Sequence, residues 1–511
     1  MSKSVIRYWG RKPYVLAQDY ISKYSKRGEI VADIFGGSGV FVRTALDLGR
    51  RALYVDLNPF AELIARSLIE GCDLDEYQRA VQAILSRKVV PVKIRGKRVN
   101  ISARKLFSIK CVCGREAEAK FVSFTRAYRS LSILPQLNGT KYEIAKMIQK
   151  KGEVTHNKLY KLNKDMSTQS LSNVIKWLVR QGVVKEREVP VYAKLVKPCV
   201  CGRIQVKFKN ENIWVIKGPI QPFYWYPKNE LKYRNGKSFL KRRDASRVDE
   251  FFMDRSLALL STLWHDVSSI KTGENVRRCL YLTFMATLIR SSKMCRASGG
   301  TWPINSYWIP RNFIIKNPYI MFENAVARVI NSLKNKRRFK SGSLEDVVHG
   351  KADVGFLVAD STKIKLPKSS LDYVIIDPPH TDEVQFFELS MFYTSWLKQE
   401  PQFENELIVN PKQGKTLESY LKMLEEVSKN IHHALKPGKY FTVILHEEDQ
   451  TILKSCVKAI SSANFKLVKN DQKGDYNIYT FKKGKGAEQQ ARIFQTVHWH
   501  SCKRGSDMDK Q

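Results

Sequence analysis

Two short strings, more than 330 residues apart, fix most of what this 511-residue chain can fold into. The first is Val31-Ala32-Asp33-Ile34-Phe35-Gly36-Gly37-Ser38-Gly39. The second is Tyr373-Val374-Ile375-Ile376-Asp377-Pro378-Pro379-His380. Each reads as an apolar strand running out into a turn. Glycines let the backbone approach a ligand closely. Asp-Pro-Pro fixes a carboxylate and two carbonyls, and neither proline offers an N–H. In open parallel sheets the carboxyl ends of strands are where ligands bind. Each string is half of a site, so one sheet is expected to be completed across a long insertion.

The flanking residues continue that pattern. Tyr14 to Tyr24 reads as a helix, Glu29 to Ile34 as a strand, and Val40 to Leu48 as the helix after the glycines. The next strand, Ala52-Leu53-Tyr54-Val55-Asp56, ends in an acid about 20 residues beyond the glycines. A carboxylate there can hold both ribose hydroxyls of a nucleoside cofactor. A nicotinamide cofactor would use the same features, but Gly-Gly-Ser-Gly lacks the spaced dinucleotide fingerprint and Asp-Pro-Pro has no part in hydride transfer. The pattern resumes with the strand Phe356 to Asp360, then the strand Leu371 to Ile376. Helices are expected over Val384 to Trp396 and over Leu417 to Leu435, the second capped by Lys436-Pro437-Gly438. Strands follow at Tyr440 to Leu445, Phe465 to Val468 and Tyr476 to Phe481. The expected class is α/β, a Rossmann-like sheet in two pieces, residues 1–85 and 346–485. Between them lie a basic segment (86–213) and a helical, aromatic segment (214–345), with a polar tail at 486–511.

The formal net charge is +39. Residues 87–210 hold 29 Lys and Arg against 7 Asp and Glu, a surplus of 22 in about a quarter of the chain. A polyanionic partner explains that concentration, because neutralising phosphates releases counterions. Solubility alone would spread the charge. No apolar run approaches the roughly 20 residues that cross a bilayer, and the first residues lack a secretory signal pattern. A soluble, cytoplasmic protein is expected.

Nine cysteines without a secretion signal argue against a disulfide framework. Cys72, Cys279, Cys295 and Cys456 read as buried thiols. Cys111-Val112-Cys113-Gly114-Arg115 recurs as Cys199-Val200-Cys201-Gly202-Arg203, and β-like sequence follows each copy. Two such turns can meet around one tetrahedral zinc ion, so Cys111, Cys113, Cys199 and Cys201 are the expected ligands of a zinc-ribbon-like module. His498, His500 and Cys502 could bind metal, but a loose tail is the simpler reading.

Between the cysteine pairs, helices are expected at Lys141 to Lys151, Thr155 to Leu162 and Thr168 to Gln181. A β-hairpin from Lys185 to Ala193 would make the unit resemble a winged helix. Its third helix would enter a major groove and present Gln169, Asn173 and Lys176. The alternative is a helical plug that only spaces the cysteine pairs. Further helices are expected at Val248 to Val267 and Glu274 to Ser292. Two ring-rich loops, at residues 222–227 and 301–311, offer Trp225, Trp302 and Arg311 to stack bases or grip a duplex. Aromatic residues are more often core.

Together these strings resemble the S-adenosylmethionine-dependent DNA amino-methyltransferases over roughly residues 5–70 and 350–485. Tyr8-Trp9-Gly10-Arg11-Lys12-Pro13 looks like the segment that packs beside the methionine part of the cofactor, with Trp9, Lys12 and Pro13 as contacts. Asp33, Phe35, Gly37 and Gly39 match the cofactor-binding turn, Asp56 the ribose-binding acid, and Asp360 the residue near the cofactor adenine. Asp377, Pro378, Pro379 and His380 match the catalytic motif. The motif order resembles the α arrangement of this class. The cysteine pairs with Phe223-Tyr224-Trp225-Tyr226-Pro227 resemble a subgroup of large prokaryotic methylases with an inserted zinc module. The resemblance implies methyl transfer to the exocyclic amine of a flipped DNA base, adenine N6 ahead of cytosine N4 because Asp opens the motif. The family usually carries Tyr, Phe or Trp where this chain has His380, and an imidazole stacks less extensively on a base. An RNA base methyltransferase and a DNA-binding regulator with a degenerate methyltransferase domain are the alternatives. The recognition sequence and any restriction or defence partner are left open.

Overall fold

The computed structural model describes residues 5–6, 8–9, 13–87, 89–131, 137–208, 213–240, 245–297, 307–382 and 384–484. Its principal sheet has eight strands: β1 (Ile30–Asp33), β2 (Arg51–Asp56), β3 (Ser341–Gly342), β4 (Val354–Val358), β5 (Leu371–Ile376), β6 (Leu435–Leu445), β7 (Phe465–Lys473) and β8 (Tyr476–Lys483). They lie in the order β3-β4-β2-β1-β5-β6-β8-β7. All neighbours run parallel except β6 with β8 and β8 with β7. The order reverses at the seam between β1 and β5, where Val31 lies opposite Tyr373 and Ala32 opposite Val374. Such a reversal opens a crevice at the carboxyl ends of the two strands.

Successive side chains on a strand point to opposite faces. Ile30, Ala32, Leu53, Val55, Val374 and Ile376 therefore pack into the core beneath helices Leu417–Ala434 and Gln450–Ser461. Val31, Ala52, Tyr54, Tyr373 and Ile375 pack on the other face, with helices Tyr14–Tyr24 and Val40–Asp47. A sheet covered on both faces needs apolar residues at every position, which both strings supply.

After β2 the chain makes helix Pro59–Glu70 and then leaves the sheet until β3. The intervening residues build a three-stranded sheet, in the order Ile220–Pro222, Val89–Ile94, Lys97–Ser102. They also build a second sheet around two long strands, Glu116–Ser130 and Val184–Leu195. Helices Asp254–Ser269, Glu274–Leu288 and Pro318–Leu333 complete this region. It is not an appendage. One continuous core runs from Tyr8, Trp9 and Phe60 through Phe392, Tyr393 and Trp396 to Phe251, Trp264 and Phe284.

Several expectations need correction. The residues read as a wing, Lys185 to Ala193, form part of one continuous strand, Val184–Leu195, paired with Glu116–Ser130. No Gly or Asn is present there to reverse the chain. Pro190 is accommodated instead by a register shift between Ser123 and Phe124. The three helices before it are present, at Gly139–Lys151, His156–Leu162 and Thr168–Arg180. Lys436-Pro437-Gly438 opens β6 rather than capping a helix. The helix expected over Val248 to Val267 is a 3-10 turn, Asp249–Phe251, followed by Asp254–Ser269. The second acid-ended strand joins a sheet that restarts at Ser341, before the expected boundary at 346. The tail at 486–511 lies outside the described residues.

The three helices have a core of their own, built on Ile144, Ile148, Leu159, Leu171, Ile175 and Leu178. They enter and leave through adjacent paired residues, Ser130 opposite Val184, with Leu131 N–H donating to the Val183 carbonyl at 2.9 Å. Replacing residues 131–183 by an Asn-Gly turn is therefore expected to leave the rest folded. Thermal unfolding should stay cooperative, with a midpoint within about 2 °C of the full chain, a shift of roughly 2 kcal/mol for a chain of this length.

Candidate active site

The glycine turn is shaped by Tyr54. A Cβ on Gly36 would sit 2.2 Å from the Tyr54 ring, so no other residue fits there. The Tyr54 hydroxyl donates to the Gly37 carbonyl at 2.7 Å. Asp56, at the end of β2, accepts the Gly37 N–H at 2.7 Å on Oδ2 and the Asn58 N–H at 2.8 Å on Oδ1. Asn58 caps helix Pro59–Glu70, and its Nδ2 reaches Ser390 Oγ at 2.9 Å. These bonds fix the ends of β1 and β2 to each other and to the helix that follows the second string.

At the end of β5, the Tyr420 hydroxyl donates to the Pro379 carbonyl at 3.0 Å. His380 is held through its ring nitrogens. Its Nδ1 accepts the His446 N–H at 3.3 Å, which leaves the proton of a neutral ring on Nε2. Nε2 lies 3.5 Å from Asp377 Oδ1.

One cavity of about 770 Å³ joins the two strings. Of the expected residues, Trp9, Asp33, Phe35, Gly37, Asp56, Asp360, Asp377, Pro378, Pro379 and His380 line it. Pro13 does not; it is exposed at the cap of helix Tyr14–Tyr24. Gly39 does not either; it caps helix Val40–Asp47 with a φ of +78°, and a Cβ there would sit 2.9 Å from Ala65 Cβ. Lys12 lies outside the described residues. The sequence reading missed Asn58, Phe386, His446, Glu406 and Arg290, all of which line the cavity. Asn58 carried a signal, an Asn-Pro pair directly after the acid-ended strand. Glu406 and Arg290 carried none, since each comes from a segment that only the fold brings to the site.

The cavity wall is acidic, and several of its carboxyl groups are buried. Burial pushes the Asp33 carboxyl well above its ordinary range, with Asp377 and Asp56 adding to the effect. Burial pushes Asp56 up to about 6 despite its two backbone donors. Glu406, 4% exposed, is pushed up to about 7 by burial. Its Oε1 accepts the Phe387 N–H at 3.0 Å, and its Oε2 has no hydrogen-bond partner among the described residues.

Comparison with known proteins bears on this site. Residues 3–67 match the family model described as DNA methylase, of the N6/N4 type. The match spans β1, the glycine turn, β2 and most of helix Pro59–Glu70. No curated protein matches the sequence. Parts of the chain are similar to solved structures. A candidate DNA modification methylase from Thermus thermophilus is 10% identical over 26% of this chain and 55% of that one, with a TM-score of 0.17. A 1,6-didemethyltoxoflavin N1-methyltransferase from Burkholderia thailandensis is 14% identical over 26% and 52%, with a TM-score of 0.16. The fibrillarin pre-rRNA processing protein of Methanococcus jannaschii is 13% identical over 31% and 53%, with a TM-score of 0.15. The chain thus spans about half the length of each.

Outside the cavity, the four repeated cysteines converge. Their sulfur atoms lie within 4.8 Å of one another, with Cys111 to Cys201 and Cys113 to Cys199 both at 3.6 Å. Each turn closes the same way: Gly114 N–H to the Cys111 carbonyl at 2.9 Å, and Gly202 N–H to the Cys199 carbonyl at 2.7 Å. Sulfur ligands about 2.3 Å from a tetrahedral zinc ion would stand about 3.8 Å apart, so this set fits such an ion. Cys72, Cys279, Cys295 and Cys456 are buried and free, as expected.

The expected nucleic-acid contacts are scattered. Gln169, Asn173 and Lys176 share one exposed face of helix Thr168–Arg180, and Gln169 Nε2 donates to Asn173 Oδ1 at 3.3 Å. Trp225 is 44% exposed, with Lys398 Nζ 4.7 Å from its ring centre. Arg311 is half-buried, and its guanidinium lies 2.6 Å from Nε2 of buried His156. That contact ties the three-helix unit to strand Asn312–Lys316 and argues for a structural role. Trp302 lies outside the described residues.

Glu406 gives a test of that burial. Its folded-state pKa of about 7 exceeds the ordinary glutamate value of about 4.3. Raised acids favour the protonated folded state, so the penalty is absent near pH 4 and grows as pH rises through 7. Glu406→Gln is expected to be more stable than the parent by about 2 kcal/mol at pH 8, with the advantage gone near pH 4.5. Urea unfolding at the two pH values measures this; a pH-independent difference would contradict it.

Proposed function

We propose that this chain is an S-adenosylmethionine-dependent DNA methyltransferase that modifies the exocyclic amine of a flipped base, adenine N6 ahead of cytosine N4. The observation that carries the reading is the single cavity holding Asp33, Gly37 and Asp56 at one wall and Asp377-Pro378-Pro379-His380 at another. The match of residues 3–67 to a DNA methylase model supports it.

The residues fit the cofactor. Each Asp56 oxygen accepts one backbone N–H and keeps a second lone pair, so the carboxylate can accept a ribose diol. The cofactor, when bound, supplies a methyl group on a sulfonium. All other steps belong to the chain. The exocyclic amine of a base is a poor nucleophile, because its lone pair is delocalised into the ring. It must leave the stack to be reached. Asp377 and the Pro378 carbonyl accept its two hydrogens, which draws the nitrogen toward a tetrahedral shape and frees the lone pair. Pro378 has no N–H, so its segment presents acceptors here. Methylation leaves one proton to be removed, and the Asp377 carboxylate is placed to take it. His380, with Nε2–H toward Asp377, orients that carboxylate, and its ring face offers a modest stacking surface to the base.

DNA is the proposed partner, held through the basic insertion, with Gln169, Asn173, Lys176 and Trp225 as candidate contacts. Zinc on Cys111, Cys113, Cys199 and Cys201 is the proposed structural metal. A cytoplasmic site of action belongs to the same reading.

The deciding experiment is transfer of a labelled methyl group to unmethylated genomic DNA and, in parallel, to total RNA, with the product nucleosides identified by mass spectrometry. N6-methyladenine or N4-methylcytosine in DNA alone is expected. Label in RNA alone would move the substrate, and label in neither would refute the assigned activity on these substrates. Asp377→Ala is expected to lower transfer by about 10² to 10³ or more while leaving cofactor affinity within about twofold. One zinc per chain is expected by elemental analysis. Its chelation should weaken DNA binding and spare cofactor binding; equal loss of both would sink that division of labour.

A further inference from the structure

The charges that line the cavity are uneven. Asp33, Asp56, Asp360, Asp377 and Glu406 supply five carboxyl groups, and Arg290 is the one Lys or Arg among the described lining residues. Arg290 comes from the 3-10 turn Ile289–Ser291, which extends helix Glu274–Leu288 of the insertion. It is half-buried, and among the described residues its guanidinium has no hydrogen bond or ion pair.

Its neighbours place it on one wall. Arg328 donates to the Val5 carbonyl at 3.2 Å and to the Ala286 carbonyl at 3.4 Å. Burial and then the charge of Arg290 hold Arg328 below the usual basicity of a guanidinium. Arg290 also acts on Tyr393, whose ring stacks on Phe60 at 4.2 Å and lies 6.5 Å from Trp9. Arg290 thus shares the cavity with Val5, Ile6, Tyr8 and Trp9. With no carboxylate paired to it among the described residues, this half-buried guanidinium is free to meet an anionic group in the cavity.

We propose that Arg290 binds the carboxylate of the cofactor's amino-acid end, so that the insertion contributes directly to the cofactor site. The inference rests on the methyltransferase reading. S-adenosylmethionine carries two positive centres, the sulfonium and the ammonium, and one carboxylate. Among the described residues, a wall of several acids with the Arg290 guanidinium complements that pattern. A guanidinium meets a carboxylate through two parallel hydrogen bonds, a geometry a lysine does not reproduce. The other source of an anionic oxygen pair is a phosphate of the bound nucleic acid.

The test is calorimetric binding of S-adenosylhomocysteine and of 5′-methylthioadenosine, which lacks the amino-acid end, to the full chain, to Arg290→Gln and to Arg290→Lys. Arg290→Gln is expected to weaken S-adenosylhomocysteine about tenfold or more and to leave 5′-methylthioadenosine within about twofold. Arg290→Lys should recover part of the loss. A decarboxylated S-adenosylhomocysteine should bind the unaltered chain about tenfold less tightly, a comparison that needs no variant. Equal weakening of both nucleosides would overturn the proposal. So would unchanged S-adenosylhomocysteine binding with reduced affinity for a DNA duplex, which would assign Arg290 to a phosphate. Failure of the unaltered chain to bind S-adenosylhomocysteine would overturn the methyltransferase reading itself.

Discussion

The parallel pairing of β1 with β5 is the contact on which the site depends. It sets Val31 against Tyr373 and Ala32 against Val374, residues separated by most of the chain. Both strings point the same way only because the pairing is parallel, so both turns emerge at one edge. The seam is reinforced by a buried acid. Asp372 Oδ2 accepts the Ile30 N–H at 3.0 Å, and Oδ1 takes Lys436 Nζ at 2.8 Å, which ties β1, β5 and β6 together. Closing so long a loop costs less than intuition suggests, since each doubling of a flexible loop adds only about 0.6 kcal/mol. The sheet can therefore carry a large interruption in the crossover after β2.

The interruption does more than fit. Helix Phe386–Thr394 follows directly on the Asp-Pro-Pro-His turn, and its far end is buried in the insertion's core. Trp396 is fully buried, edge-on to Phe284 at 5.0 Å and to Trp264 at 6.3 Å. The same helix is held from the other side by Asn58, the residue that follows the Asp56 loop. Position of the second turn is thus set jointly by the sheet and by the insertion. A change deep in the insertion can reach Asp377 through packing alone, because close-packed interiors transmit strain. The insertion's helices also form one wall of the cavity, which is how Arg290 comes to share it with four acids at or just beyond strand ends and with Glu406.

The sheet was legible in the sequence because its evidence is local. Apolar runs, glycines and terminal acids at β1, β2, β4 and β5 identify strand, turn and chemistry within a few residues each. The four cysteines were legible for the same reason, since the repeat of Cys-Val-Cys-Gly-Arg encodes two copies of one turn. Misreadings arose where a local signal had two meanings. Pro190 looked like a hairpin turn, but without a residue suited to reversal the strand ran on through a bulge. Gly39 looked like a ligand glycine, yet its missing side chain makes room for Ala65. Arg311 looked like a nucleic-acid contact, yet its guanidinium meets buried His156. Glu406 and Arg290 could not be read at all. Neither belongs to a motif, and each matters only through neighbours distant in the chain.

The distribution of charge follows from the same division. A chain with a net charge of +39 encloses a cavity whose titratable wall is acidic. The basic surface attracts phosphates by counterion release, while the acidic interior repels them and disfavours their desolvation. A nucleic acid can satisfy both fields only if it is divided, with its backbone left on the surface and a neutral base delivered inside. Rotating a base out of the stack performs that division. On the proposed reading, the contrast between surface and cavity therefore does part of the selection. It holds a polyanion close, admits an uncharged ring, and reserves the acids for the hydroxyls, amines and positive centres that they alone can pair.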